Sequence, residues 1–192
     1  MGKYDIRGLL DPRTSMWRQQ LLGITVLGDD SMLPELLLQG IRDVFIGVGG
    51  VGDNSLRRQL YEKVIQLGFQ IATPIHPNAI IAASSEVGMG SAVLACAVIN
   101  ASARLGKNVI VNTGAIVEHD CVVEDHAHLA TGCRLASNVF VGVGSHIGVG
   151  ACVRQYMRIG RNAVVGAGAV VVKDVPEIAV VVGVPARVIK WL

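Results

Sequence analysis

The stretch Val117-Glu118-His119-Asp120 sets one imidazole between two carboxylates. Imidazole titrates near neutral pH, and a carboxylate can orient it and stabilise its protonated form, so the group suits general-base work. Side chains of adjacent residues seldom hydrogen-bond to each other, so either Glu118 or Asp120 remains open as the partner. No Ser or Cys nucleophile evidently accompanies the histidine. Direct attack by a substrate amine or hydroxyl on a thioester is then simpler than an acyl-enzyme. His128 offers a hydrogen-bond donor for the thioester or for a developing oxyanion. A second candidate is Gly47-Val48-Gly49-Gly50-Val51-Gly52, which matches GxGxxG before a predicted helix carrying Arg57 and Arg58. Free amides at that helix start would favour a nucleotide phosphate. A dinucleotide fold wants an acid about 20 residues further on, and Phe69 to His76 contains none; a plain glycine-rich turn is the alternative.

A repeat positions the histidines. Stepping by six from Ile81 reaches Val87, Val93, Ile99, Leu105, Val111, Val117, Val123, Leu129, Leu135, Val141, Ile147, Val153, Ile159, Val165 and Val171, every one β-branched or Leu. Four places after these aliphatics stand small residues such as Ser91, Ala97, Ala115, Cys121 and Ala151, with Met157 the exception. Neither a period of 2 nor one of 3.6 produces this, whereas a hexapeptide β-helix does. Each aliphatic faces the axis of a triangular prism, each small residue fills a corner, and three hexads make a coil. His119, His126, His128 and His146 all miss the inward and corner slots, so none is expected in the prism core.

Residues 1–74 read differently, as a small parallel α/β unit. Strands are predicted over Tyr4–Leu10, Asp43–Val48 and Phe69–Thr73. Helices are predicted over Ser31–Gln39, capped by Ser31, and Ser55–Leu67, with Leu56, Leu60, Val64 and Leu67 on its buried stripe. The repeat domain spans 75–192.

Composition narrows the function classes. Aromatics are only 4% while hydrophobic residues reach 51% and glycines number 23, which suits thin coils cored by Val and Ile. A net charge of +2 without a basic run gives nucleic acid no phosphate footprint. Mean hydropathy is +0.49, yet no apolar run approaches the ~20 residues that span a bilayer, and no signal-peptide core is present. A soluble cytoplasmic protein is expected. The four cysteines lack CxxC spacing, so neither disulfides nor a zinc knuckle is indicated.

Ile75-His76-Pro77, Asn112-Thr113-Gly114, Glu118-His119-Asp120-Cys121 and Gly183-Val184-Pro185-Ala186-Arg187, together with Gly49 and Leu56-Arg57, carry a resemblance over nearly the whole chain. The sequence resembles the hexapeptide-repeat sugar acetyltransferases, which include sialic-acid O-acetyltransferases and nucleotide-activated 4-amino-sugar N-acetyltransferases. The resemblance implies a Rossmann-like sugar-nucleotide subdomain followed by a left-handed parallel β-helix, and a homotrimer with acetyl-CoA between adjacent helices. It implies no metal. By position it makes His119 the base and Asp120 the carboxylate that raises its basicity. It places His128, Val149 and Ala167 against acetyl-CoA, and Asp11 and Gly49 against the nucleotide-sugar. Some members have Glu where Asp120 stands, so the shorter side chain must reach His119. Against the family pattern, the subdomain is expected to lack its first strand and glycine loop, through either a truncated start or loss of the donor half of the domain. Two other classes compete. One is a non-catalytic trimeric scaffold. The other is a γ-carbonic-anhydrase-like zinc enzyme using His119, His126 and His128, whose spacings of seven and two do not fit that family's HxxxxH pair.

Overall fold

The computed structural model describes residues 4–192; residues 1–3 of the 1–74 subdomain lie outside the described residues. From Ile80 to Val171 the backbone makes sixteen two-residue strands, and the second residue of each is one of the aliphatics picked out by the period of six. Parallel pairing in register joins each strand to the one 18 residues on, as in Ile110↔His128 and Val111↔Leu129. The strands form three sheets, the faces of a prism. Face I includes Ile116–Val117 and Arg134–Leu135. Face II includes Val122–Val123 and Phe140–Val141. Face III includes His128–Leu129 and His146–Ile147, and is extended by Ala179–Val182 and the antiparallel return strand Arg187–Trp191. From Val93 onward the inward aliphatics are buried, and the corner residues Ala97, Ala115, Cys121, Ala127 and Ala151 are fully buried with them.

Two local features make the coils possible. A Cβ on Gly148 would lie 2.6 Å from the amide nitrogen of Ala167 in the next coil, so only glycine lets the coils approach there. From Gly90 to Gly168 each corner also carries a left-handed residue. In the corner between faces I and II that position is filled by Ser102, Asp120, Asn138 and Tyr156, with φ from 58° to 64°. Asp and Asn tolerate this region better than most residues.

The N-terminal part departs from the expected layout. Strand β1 is only Leu9–Leu10, β2 is Gln20–Leu21 and β3 is Ile24–Gly28. β3 pairs parallel with β1 and antiparallel with β2, so the unit is mixed. The β2–β3 hairpin turns on Leu22 and Gly23, both at positive φ, as a two-residue primed turn requires. Helix α1 (Leu33–Leu38) follows a 3-10 turn whose cap is Asp29, accepting from the Ser31 amide, and not Ser31 itself. Strand β4 (Asp43–Val44) pairs parallel with β5 (Gln70–Ile71), and α2 (Ser55–Gln66) lies between them in sequence. Leu33, Tyr61, Val64, Phe69 and Ile71 form this unit's own core. The buried face of α2 is Arg57, Tyr61 and Val64, while Leu56 is 55% exposed. The helix is turned by about a residue from its apolar stripe because Arg57 reaches into the β-helix.

Candidate functional site

His119 and Asp120 sit in the corner turn between faces I and II, both half exposed. Asp120 Oδ2 lies 2.7 Å from His119 Nδ1, so the shorter side chain does reach. Glu118 is engaged elsewhere, accepting from Asn100 Nδ2 at 2.9 Å; the carboxylate partner left open by the sequence is Asp120. With Asp120 accepting at Nδ1, that nitrogen carries the proton and Nε2 presents the lone pair. A residue the sequence reading missed faces it. Ser137 Oγ stands 2.7 Å from Nε2, which corrects the expectation that no serine accompanies the histidine. The signal was available, since Ser137 is 18 residues after His119, one coil further along the same corner. Cys121 beside this group is buried, its thiol donating to the Ala136 carbonyl at 3.1 Å, and burial pushes its pKa up to about 11. It offers no thiolate near neutral pH.

The other ring histidines miss the prism core, as expected, yet they are not exposed. The N-terminal unit covers them. His126 takes the Tyr61 ring edge-on at 5.4 Å, with Nδ1 2.9 Å from Asn108 Nδ2. His128 donates from Nδ1 to the Gly50 carbonyl at 2.6 Å and stacks edge-on against His146 at 4.9 Å. Burial lowers all three pKa values, that of His146 to about 4. The docking clamp is Arg57, 1% exposed. Its guanidinium donates to the Asn108 carbonyl and to Asn108 Oδ1, His126 O and Ala127 O, and loss of water drives its pKa down to about 10.

The remaining predicted site residues fall into separate groups. Val149 and Ala167 stack 18 apart in the corner between faces III and I, both exposed, beside the face that carries His128. In a triangular section His119's corner is opposite face III. One copy therefore does not bring His119 and His128 into one pocket, and the three histidines of the zinc alternative are not brought together. Among the described residues no cluster of three or more His, Cys, Asp or Glu side chains is arranged to hold a metal. Asp11 lies after β1, its carboxylate taken by Arg13 at 2.8 Å, which holds its pKa near 2. Gly49 lies in the loop before α2, with open space where a Cβ would be. At the start of α2 the Asp53 carboxylate already accepts from the Ser55 amide and hydroxyl. Arg57 is committed to carbonyls and Arg58 pairs with Glu62, so the helix start lacks the free cations foreseen for a phosphate. A cleft of about 650 Å³ opens between this loop, face III and the C-terminal strand, lined by Val51, Asn54, Arg58, His126, Val164 and Lys190. No helix among the described residues is long and apolar enough to cross a membrane.

A prism of hexad coils with a His–Asp pair exposed on one corner defines a hexapeptide-repeat β-helix protein. Solved structures give it a family. Perosamine N-acetyltransferase from Caulobacter crescentus, determined as a histidine-to-asparagine variant with CoA and GDP-perosamine, is 39% identical over 95% of this chain and 84% of its own, with TM-score 0.89. The acetyltransferase domain of PglB from Neisseria gonorrhoeae is 38% identical over 98% of this chain and 89% of its own, with TM-score 0.90. WeeI from Acinetobacter baumannii is 27% identical over 95% and 85%, with TM-score 0.81. No protein-family model and no curated protein matches the chain. The chain belongs to the hexapeptide-repeat sugar acetyltransferases.

Proposed function

We propose that this protein moves the acetyl group of acetyl-CoA directly to an amine or hydroxyl of a nucleotide-activated sugar, with His119 as general base and no acyl-enzyme on the transfer path. The carrying observation is the His119 ring itself. Asp120 fixes the proton on Nδ1, and Nε2, at a half-exposed corner, accepts from the Ser137 hydroxyl, which an incoming nucleophile displaces. A nucleophile placed against Nε2 loses its proton as it attacks the thioester carbonyl, and Asp120 stabilises the imidazolium that forms. The proton then passes to the departing CoA thiolate. The relatives' names favour an amine acceptor, which must attack in its neutral form.

His128, Val149 and Ala167 line acetyl-CoA in this reading, and Asp11 and Gly49 hold the nucleotide-sugar on a Rossmann-like unit spanning 1–74. The β-helix of 75–192 is left-handed. Since the His119 corner is opposite face III, one active site takes His119 from one copy and the cofactor residues from its neighbour, in a homotrimer. The outward row of face I supports such assembly. That row is Ile80, Val98, Ile116, Arg134, Cys152 and Val170, apolar except at the exposed Arg134, and Ile80 is 65% exposed in the single chain. Unpaired cysteines, Cys96 among them exposed, suit a reducing cytoplasm.

The test is His119→Ala, assayed for release of free CoA thiol with GDP-perosamine as acceptor. Turnover falls by roughly 10²–10⁴, the span typical of a lost general base, while the mass in solution stays at three times the 20.2 kDa chain. Near wild-type turnover would refute the base assignment.

A further inference from the structure

Asp120, His119 and Ser137 form a continuous chain: carboxylate to Nδ1 at 2.7 Å and Nε2 to hydroxyl at 2.7 Å. This is the order of groups that activates a serine in hydrolases on unrelated folds, and direct transfer does not use the hydroxyl. It stands where the acceptor's nucleophile has to be, against the only ring nitrogen that Asp120 leaves free. We infer that, when no sugar acceptor is bound, Ser137 itself takes the acetyl group, giving an acetyl-serine enzyme that water slowly hydrolyses.

The steps balance. The Ser137 hydroxyl gives its proton to His119 Nε2 as Oγ attacks the acetyl carbonyl carbon. The tetrahedral intermediate collapses with cleavage of the C–S bond, and the CoA thiolate leaves with the proton from the imidazolium. A water then gives a proton to Nε2 and attacks the ester. Acetate leaves, and Oγ recovers its proton. The net change is acetyl-CoA plus water to acetate, CoA thiol and one proton released as the acetic acid ionises, with no oxidant, reductant or metal. A bound acceptor displaces Ser137 from Nε2 and takes the acetyl group in its place, so acceptor and serine compete.

The use of acetyl-CoA here rests on the function proposed above, and the experiment separates the two. The purified protein is incubated without acceptor, once with acetyl-CoA and once with p-nitrophenyl acetate, an activated ester that needs no CoA site. Intact mass should rise by one acetyl group. Fragmentation of the peptide between Arg134 and Arg154 should place it on Ser137, apart from Ser145 and Cys152 in the same peptide. Labelling should be lost in Ser137→Ala, kept as a thioester in Ser137→Cys, slowed at least a hundredfold in His119→Ala, and suppressed in wild type by GDP-perosamine. Unlabelled Ser137 with both reagents overturns the inference, and direct transfer stands if sugar acetylation proceeds. Equal labelling in His119→Ala also overturns it. Labelling by p-nitrophenyl acetate with no acetyl-CoA consumed under any condition supports the triad and removes the transferase reading instead.

Discussion

Replacing Arg57 by Met should loosen the N-terminal unit from the β-helix without unwinding the coils. The guanidinium is 1% exposed and donates to four oxygens. Of these, Ala127 O still receives the Ile110 amide at 3.1 Å. The carbonyls of Asn108 and His126 lose their guanidinium donor, and each orphaned buried carbonyl costs about 1–3 kcal/mol. The charge's own desolvation, seen in a pKa driven down to about 10, offsets part of the gain that the wild type makes from these bonds. The lower part of the range, about 2–4 kcal/mol, is therefore expected. Hydrogen exchange read by mass spectrometry gives the assay. Amides of α2 and β5 should exchange roughly thirty- to a thousandfold faster, the factor equivalent to that energy. Amides around Leu129, at the prism centre, should keep their protection. Unchanged exchange in α2 would refute the clamp, and equal acceleration around Leu129 would show that the two units do not come apart separately.

Asp120→Asn keeps the size of the group at Nδ1 but removes its charge, so kcat should fall by about 10–10⁴, with KM for acetyl-CoA little changed; steady-state kinetics with the CoA-thiol assay checks this. Acid should weaken the fold. His146 is held near pH 4 in the folded chain against an ordinary 6.5, so the unfolded chain binds a proton that the folded one excludes. Its contribution is complete above about 6.5 and is lost as pH falls towards 4; His126 and His128 shift the same way. Urea midpoints at pH 7.5 and 5 should therefore drop, with a shallower drop in His146→Gln.

The β-helix was legible because its repeat leaves no freedom. With one inward aliphatic per six residues, a slip of one place would turn the whole row outward, and the strands fall on that row from Ile81 to Val171. The same register set His119 outside the core. It does not disclose Ser137, because stacking at 18 residues is a second period laid over the first, and the aliphatics that mark the register say nothing about polar corner positions. The N-terminal unit was less legible. Its strands β1, β4 and β5 are two residues long, too short for alternation to show. The buried face of α2 departs from its apolar stripe because Arg57 enters the interior. Hydrophobic periodicity has no means of marking a guanidinium whose partners are backbone carbonyls of a distant segment. The burial of His126, His128 and His146 has the same origin, since it depends on what docks against face III.

If a site joins His119 of one copy to His128 of the next, two inactive variants can repair each other. His119→Ala and His128→Ala chains, co-expressed in equal amounts and assembled at random into the proposed cyclic trimer, should contain interfaces where the His119 donor and the His128 donor are both wild type. With independent choice on each side, about a quarter of the interfaces qualify. Mixed assemblies should then recover about a quarter of wild-type turnover, while separately purified variants mixed without subunit exchange stay inactive. A site contained in one chain predicts no recovery at any ratio, since every chain then carries a lesion in its own site. Activity in the unexchanged mixture would point to a site that needs only one of the two histidines.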